Sequence, residues 1–132
     1  MSKSIFISCV FEDRHCIPII SKWAENKRLG DVVITYEVED KRPEGADAIK
    51  QFLKNKIKGA AVVMVLIGQD THNHDWIRAE TELANSFNIK IICVRIPDAK
   101  GNITTGAVPP ILVNKPLITF QPESIKSAIE AP

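Results

Sequence analysis

The stretch "AAVVMVLIG", Ala60–Gly68, is apolar at every position until its closing glycine and rich in β-branched residues. A strand with one wet face alternates apolar and polar residues; a run without alternation belongs to a strand covered on both faces. Such strands lie at the centre of parallel sheets. The segments around it agree. "IKIICVRI" (Ile89–Ile96) and "SIFISCV" (Ser4–Val10) are largely apolar, "DVVITYEV" (Asp31–Val38) is rich in β-branched residues, and "PLITF" (Pro116–Phe120) reads as a short fifth strand.

Helical spacing fills the intervals. Asp13 is placed to cap a helix with Ile17, Ile20 and Trp23 or Ala24 facing inward, and Gly30 to end it as a left-handed C-cap. From Asp47 to Lys58, Ile49, Phe52, Leu53 and Ile57 keep helical spacing, and Gly59 closes the helix. A third helix covers "HDWIRAETELANSFN", and "PESIKSAIE" is a fourth, with Pro122 near its first turn. "EDKRPEGAD" and "PDAKGNITTGAVPP" are loops. Alternating strands and helices with short connections imply an α/β fold: a doubly wound, flavodoxin-like five-stranded parallel sheet with helices on both faces. Residues 1–132 are expected to form a single domain, with function at the carboxyl ends of the strands.

Composition excludes several classes. Apolar residues make up 45% of the 132 and charged residues 25%, as in globular proteins. Lys plus Arg number 17 against 16 for Asp plus Glu, which leaves no basic excess for nucleic acid. The central apolar run is too short to cross a membrane, and "MSKSIFISCV" lacks the apolar region of a signal peptide. Three cysteines, with Cys9 and Cys93 in apolar strands, suit reduced thiols and a cytoplasmic setting.

One residue breaks the pattern of the third helix. At about 100° per residue, Leu83 and Phe87 fall within roughly 20° of Trp76, Ile77 and Ala84 widen the stripe to one side, and Glu80 lies inside it at roughly 40°. Arg78, Glu82 and Asn85 occupy the opposite face. A carboxylate turned inward either accepts hydrogen bonds near the helix N-terminus or serves as a functional acid in apolar surroundings. Other chemistries find less support. No G-x-G-x-x-G or Walker-type glycine run follows a strand, and "SCVFEDRH" lacks the Ser/Thr-rich loop that a flavin phosphate needs. Asp70 lies beyond Gly68 in a loop, poorly placed for a phosphoacceptor. His72 and His74 have no third ligand nearby, so no metal is expected. Cys9 and Cys16 read as small core residues. Lys41 and Arg42 read as a solvated loop that is free to contact a ligand or partner.

"SIFISCVFED", "LIGQDTHNHDWIRAE" and "KIICVRI" together resemble the TIR fold, and more closely the TIR-like branch of bacterial Thoeris antiphage systems. The first strand carries the Phe-x-Ser pattern at Phe6–Ser8, followed by the branch's aromatic and acidic residues at Phe11 and Asp13. The third strand ends in Leu66-Ile67-Gly68. Trp76 precedes Glu80 by four residues, the spacing of the family's enzymes, in which that Glu is catalytic.

The resemblance implies an NAD glycohydrolase or cyclase that splits the nicotinamide–ribose bond, with Glu80 facing the ribose. NAD is then substrate, and no cofactor is needed. The product would be ADP-ribose or a cyclic ADP-ribose isomer acting as a diffusible signal for a separate effector, and self-association would support activity. Ser8 and Phe11 would line the cleft, Phe11 stacking on a ring. Trp76 would either pack under its helix or contact the ligand. Asp40 lies in the loop that TIR domains use for self-association and cleft closure. The alternative is a non-catalytic TIR-like assembly module. Two departures stand out: "EDKRPEGAD" lacks the pattern of animal TIR adaptors, and "PDAKGNITTGAVPP" is longer than a compact TIR domain needs.

Overall fold

The computed structural model describes residues 2–36, 51, 53–54 and 56–131. Strands β1 (Lys3–Ser8), β2 (Val32–Tyr36), β3 (Val62–Ile67), β4 (Lys90–Arg95) and β5 (Leu117–Thr119) form one sheet in the order β2-β1-β3-β4-β5, parallel throughout. Helix α1 is Cys16–Glu25, α3 is Asp75–Ser86 and α4 is Pro122–Glu130. The helix before β3, α2, is described at residues 51, 53–54 and 56–57. Short 3-10 turns occupy Phe11–Asp13, Thr71–Asn73 and Pro110–Leu112. This strand order is the flavodoxin-like one, and its topological switch point lies between β1 and β3.

The central strand is buried at all six positions. Val62, Met64 and Leu66 pack with Ile17 and Ile20 of α1 and with Ile125 and Ile129 of α4. Val63, Val65 and Ile67 pack with Leu53 and Ile57 of α2 and with Trp76, Ile77, Leu83 and Ala84 of α3. Each such side chain contributes roughly 1.5–3 kcal/mol on full burial, so the unalternating sequence is the direct cause of the two-layered core. β1 follows the same alternation. Ile5 and Ile7 enter the α1/α4 layer and Phe6 the α2/α3 layer, which puts Ser8 on the α3 side.

Helix ends differ from expectation at two places. Gly30 does not cap α1, which already ends at Glu25. Lys27 takes the left-handed conformation instead (φ 62°). Its N–H reaches Ala24 O at 3.1 Å while Arg28 N–H reaches Trp23 O at 2.9 Å, a Schellman closure. Gly30 (φ 85°) belongs to the following turn. The same closure ends α3 at Asn88 (φ 57°), where Ile89 N–H reaches Ala84 O at 2.9 Å.

Asp13 is not a helix cap. It closes the 3-10 turn after β1, and α1 starts after His15 with no side-chain cap. Its carboxylate turns inward, 7% exposed, and lies directly over Gly68. A Cβ on Gly68 would come within 2.4 Å of Asp13 Oδ2, and one on Gly106 within 2.1 Å of the Gln69 carbonyl oxygen. Gly68 N–H donates to Thr71 Oγ1 at 2.8 Å, and Thr105 N–H donates to Gln69 Oε1 at 2.9 Å. Three loops at the carboxyl edge therefore meet around Gly68–Gln69: those after β1, β3 and β4. The close backbone approach requires Gly106, and the seat of the Asp13 carboxylate requires Gly68.

The described part of the second strand stops at Tyr36. The rest of "DVVITYEV", the loop with Lys41 and Arg42, and Ile49 and Phe52 of the second helix lie outside the described residues. All three cysteines are buried, and no disulfide occurs among the described residues. Burial pushes the Cys16 thiol up to about 12 and the Cys93 thiol to about 11, which fits core residues rather than nucleophiles. Among the described residues, no helix is long and apolar enough to cross a membrane.

The loop clamp is testable by paired glycine substitutions. Gly106→Ala should lower the unfolding free energy in urea by about 1–3 kcal/mol, because the new methyl group meets a backbone carbonyl. Gly59→Ala, with nothing among the described residues within 4 Å of the added atom, should be neutral or slightly stabilising. Equal effects would show that the close packing at Gly106 is unimportant. Asp13 makes a pH prediction. Its carboxyl is raised above 3.8, chiefly by burial and also by Glu12, against opposing contributions from His15, Thr71 and His74. The native state thus binds the proton more tightly than the unfolded chain. The stability Asp13 contributes is fully present below 3.8 and is lost as pH rises through the raised value. Urea denaturation across that window should show Asp13→Asn gaining stability relative to wild type as pH rises; a constant difference would refute the sign.

Candidate functional site

The end of β1 and the inner face of α3 meet over the switch point. Ser8 is the last residue of β1, and its Cα pairs with that of Val65 on β3. Alternation directs its side chain toward α3 beyond Phe6. Glu80 sits in the middle of α3, and helical phase turns it back toward β1. The Ser8 hydroxyl donates a short hydrogen bond to Glu80 Oε1, and both residues are 0% exposed. Thr81, also buried, spends its hydroxyl on its own helix, donating to Ile77 O at 2.8 Å. A carboxylate removed from water is costly unless it is hydrogen-bonded; the Ser8 hydroxyl supplies such a bond from across the sheet.

The other expected site residues take different positions. Trp76 lies one turn before Glu80 on the same face, 1% exposed and packed in the α2/α3 layer. Phe11 is 48% exposed in the turn after β1. The Arg14 guanidinium lies 3.7 Å over its ring centroid, and Arg14 Nη1 donates to the Phe11 carbonyl at 2.8 Å. One face of that ring is therefore covered by a cation, a contact worth about 0.5–1 kcal/mol at an exposed position. Ser8, Trp76 and Glu80 thus come together in the interior, with Phe11 out on the surface. Asp40 lies outside the described residues.

His72 and His74 belong to no group of three or more His, Cys, Asp or Glu side chains among the described residues that could hold an ion. Instead they line a cleft of about 440 Å³ with Asn73, Arg78, Pro109, Pro110 and Ile111. His74 Nε2 lies 3.8 Å from Glu12 Oε2. His15 Nε2 lies 2.9 Å from the Pro97 carbonyl, tying the start of α1 to the loop after β4. Arg95 ends β4 on the α3 side, and its Nη1 is buried with no hydrogen-bond partner among the described residues.

Sequence reasoning missed the inward carboxylate of Asp13 and this cleft. Gly68 is the signal that could have found Asp13, since a glycine ending a fully buried strand marks a close approach. The cleft had a weaker signal in Pro109-Pro110, a stiff pair within a loop of unusual length. Chemically, the interior pair offers an unhydrated carboxylate oriented by a hydroxyl. Such a group acts strongly on positive charge that develops beside it, because no water screens it.

The family model of the TIR-like domain of the Thoeris protein ThsB matches residues 6–101, from within β1 to beyond β4. A solved structure, the crystal structure of a prokaryotic SEFIR domain, superposes with a TM-score of 0.56 at 17% identity, covering 99% of this chain and 94% of that one. At that identity the likeness is one of fold. No curated protein matches the chain. The matched segment takes in well over half of the sequence, including Ser8, Phe11, Trp76 and Glu80, and the chain belongs to the Thoeris ThsB TIR-like domain family.

Proposed function

We propose that this chain is a TIR-type NAD-consuming enzyme of antiphage defence, with Glu80 as its catalytic residue. The observation that carries the reading is the fully buried Glu80 carboxylate held by Ser8 over the β1/β3 switch point. Departure of nicotinamide from the ribose leaves an oxocarbenium-like sugar, with positive charge at the anomeric carbon. Glu80 stabilises that charge and accepts hydrogen bonds from the ribose hydroxyls. Nicotinamide leaves as a neutral base, so no general acid is required. Ser8 fixes the carboxylate, Phe11 offers its free ring face to a base at the rim, and Trp76 supports the helix turn that carries Glu80.

Capture of the sugar cation decides the product. Water gives ADP-ribose, and a nucleophile in the same molecule gives a cyclic isomer, which serves as a signal for a separate effector. Glu80 is 0% exposed, so the crevice must open before substrate can reach it; self-association or an infection-derived trigger supplies that opening. The same burial favours a second reading, in which Ser8 and Glu80 are a structural pair inside a non-catalytic assembly module.

Two measurements separate these readings. Concentrated protein, with and without lysate of phage-infected cells, should release nicotinamide from NAD. Glu80→Gln should lower that release by roughly a hundredfold or more while keeping the far-ultraviolet circular dichroism of the wild type. Equal release by both proteins under every condition would falsify the enzymatic role of Glu80. For the pair itself, Ser8→Ala removes the donor and should cost about 1–3 kcal/mol of stability. Adding Glu80→Gln should recover part of that loss, because no charge is then left buried. A strictly additive double-mutant cycle would mean that the two side chains do not interact energetically.

A further inference from the structure

We propose that the cleft on the flank of α3 opposite Glu80 binds an anionic, ring-bearing small molecule of mononucleotide size. The inference does not depend on whether Glu80 cleaves NAD. Its volume of about 440 Å³ lies within the range of small-molecule sites. Arg78 and Glu80 are about 200° apart around the helix axis, so a ligand in this cleft is on the far side of α3 from the buried carboxylate.

The two walls differ in chemistry. His72, Asn73, His74 and Arg78 form one, from the 3-10 turn after β3 and the start of α3; Pro109, Pro110 and Ile111 form the other. Among the described lining residues none is acidic, although His74 Nε2 lies 3.8 Å from Glu12 Oε2. Arg78 engages Glu82 through Nε at 3.4 Å, and its side chain is 69% exposed. The Asn73 amide donates to Asp70 Oδ1 at 3.0 Å, which fixes the turn. His74, at the N-cap of α3, makes no side-chain capping bond. The positive end of the α3 dipole adds to the field of Arg78 at the polar wall.

The apolar wall is preformed. Its 3-10 turn is closed by Leu112 N–H to Pro109 O at 2.8 Å, and Leu112 itself is buried in the α2/α3 layer. Two adjacent prolines present a stiff surface that loses little entropy on contact with a flat ring. An anion at Arg78 and a base against Pro109–Ile111 use both walls at once, and neither fragment alone does. This wall comes from the long loop after β4, giving that insertion a specific task.

Isothermal titration calorimetry of the full chain tests the assignment, with adenosine monophosphate as the probe and adenosine, ribose 5-phosphate and inorganic phosphate as its fragments. The expected result is a Kd for adenosine monophosphate below ~1 mM, with each fragment at least about tenfold weaker. Arg78→Gln, at an exposed side chain, should weaken the nucleotide by about tenfold or more, as loss of a charge-assisted contact does. His72→Ala should weaken it in the same direction, and Glu80→Gln should leave it unchanged. Absence of nucleotide binding, or equal binding by Arg78→Gln and wild type, overturns the site. Loss of binding in Glu80→Gln alone also overturns it, by placing the nucleotide in the other crevice. Phosphate binding as tightly as the nucleotide overturns the ring-bearing assignment.

Discussion

A carboxylate with no access to water must be held by hydrogen bonds, or the fold loses several kcal/mol. Glu80 imposes that constraint on three parts of the chain at once. β1 must end in a residue that can donate, and Ser8 does. The alternation of β1 must point that residue toward α3, and α3 must be phased so that Glu80 faces it. The parallel register between Ser8 and Val65 connects all three. A slip of one residue would send Ser8 into the α1/α4 layer among Ile17, Ile20 and Met64 and leave Glu80 without that donor. Register, helix phase and site geometry are thus one requirement rather than three.

The carboxyl edge around this pair is built from backbone as much as from side chains. Gly106 lets the loops after β3 and β4 touch, and the Asp13 carboxylate fills the space over Gly68. Thr71 links the same cluster to the segment that enters α3, since it accepts the Gly68 N–H. The start of α3 is consequently fixed by tertiary contacts rather than by a capping side chain at His74. Both flanks of α3 inherit that placement: the inner one carries Glu80 against Ser8, and the outer one forms a wall of the cleft.

What could be read from the sequence followed from periodicity. β3 announced itself by failing to alternate, and Glu80 by interrupting an apolar stripe at a computable angle. Neither depends on distant residues. Asp13 resisted such reading because its local setting, an acid shortly before an apolar helix, is that of a cap. A contact with Gly68 decides its role, and no local pattern encodes that contact. Gly30 was outcompeted because the α1 carbonyls found their donors at Lys27 and Arg28, and the left-handed geometry at a lysine costs only about 1–2 kcal/mol. The cleft was illegible for a third reason. Its walls come from two short turns far apart in the chain, and neither the 97–110 loop nor the 3-10 turn at Thr71–Asn73 has a period to detect.

For the reaction proposed above, the burial of Glu80 sets a thermodynamic condition on substrate binding. Ribose hydroxyls can reach the carboxylate only in a state where the crevice is open and the Ser8 bond can be exchanged. The apparent affinity for NAD then equals the intrinsic affinity multiplied by the open fraction. At an open population of about one per cent, binding is weakened about a hundredfold. A neighbouring copy or ligand that favours the open state recovers up to that same factor without touching the reacting atoms. Under that proposal, control of this kind would need no second catalytic group: a single buried acid would stay idle in the closed chain and act in the assembled one.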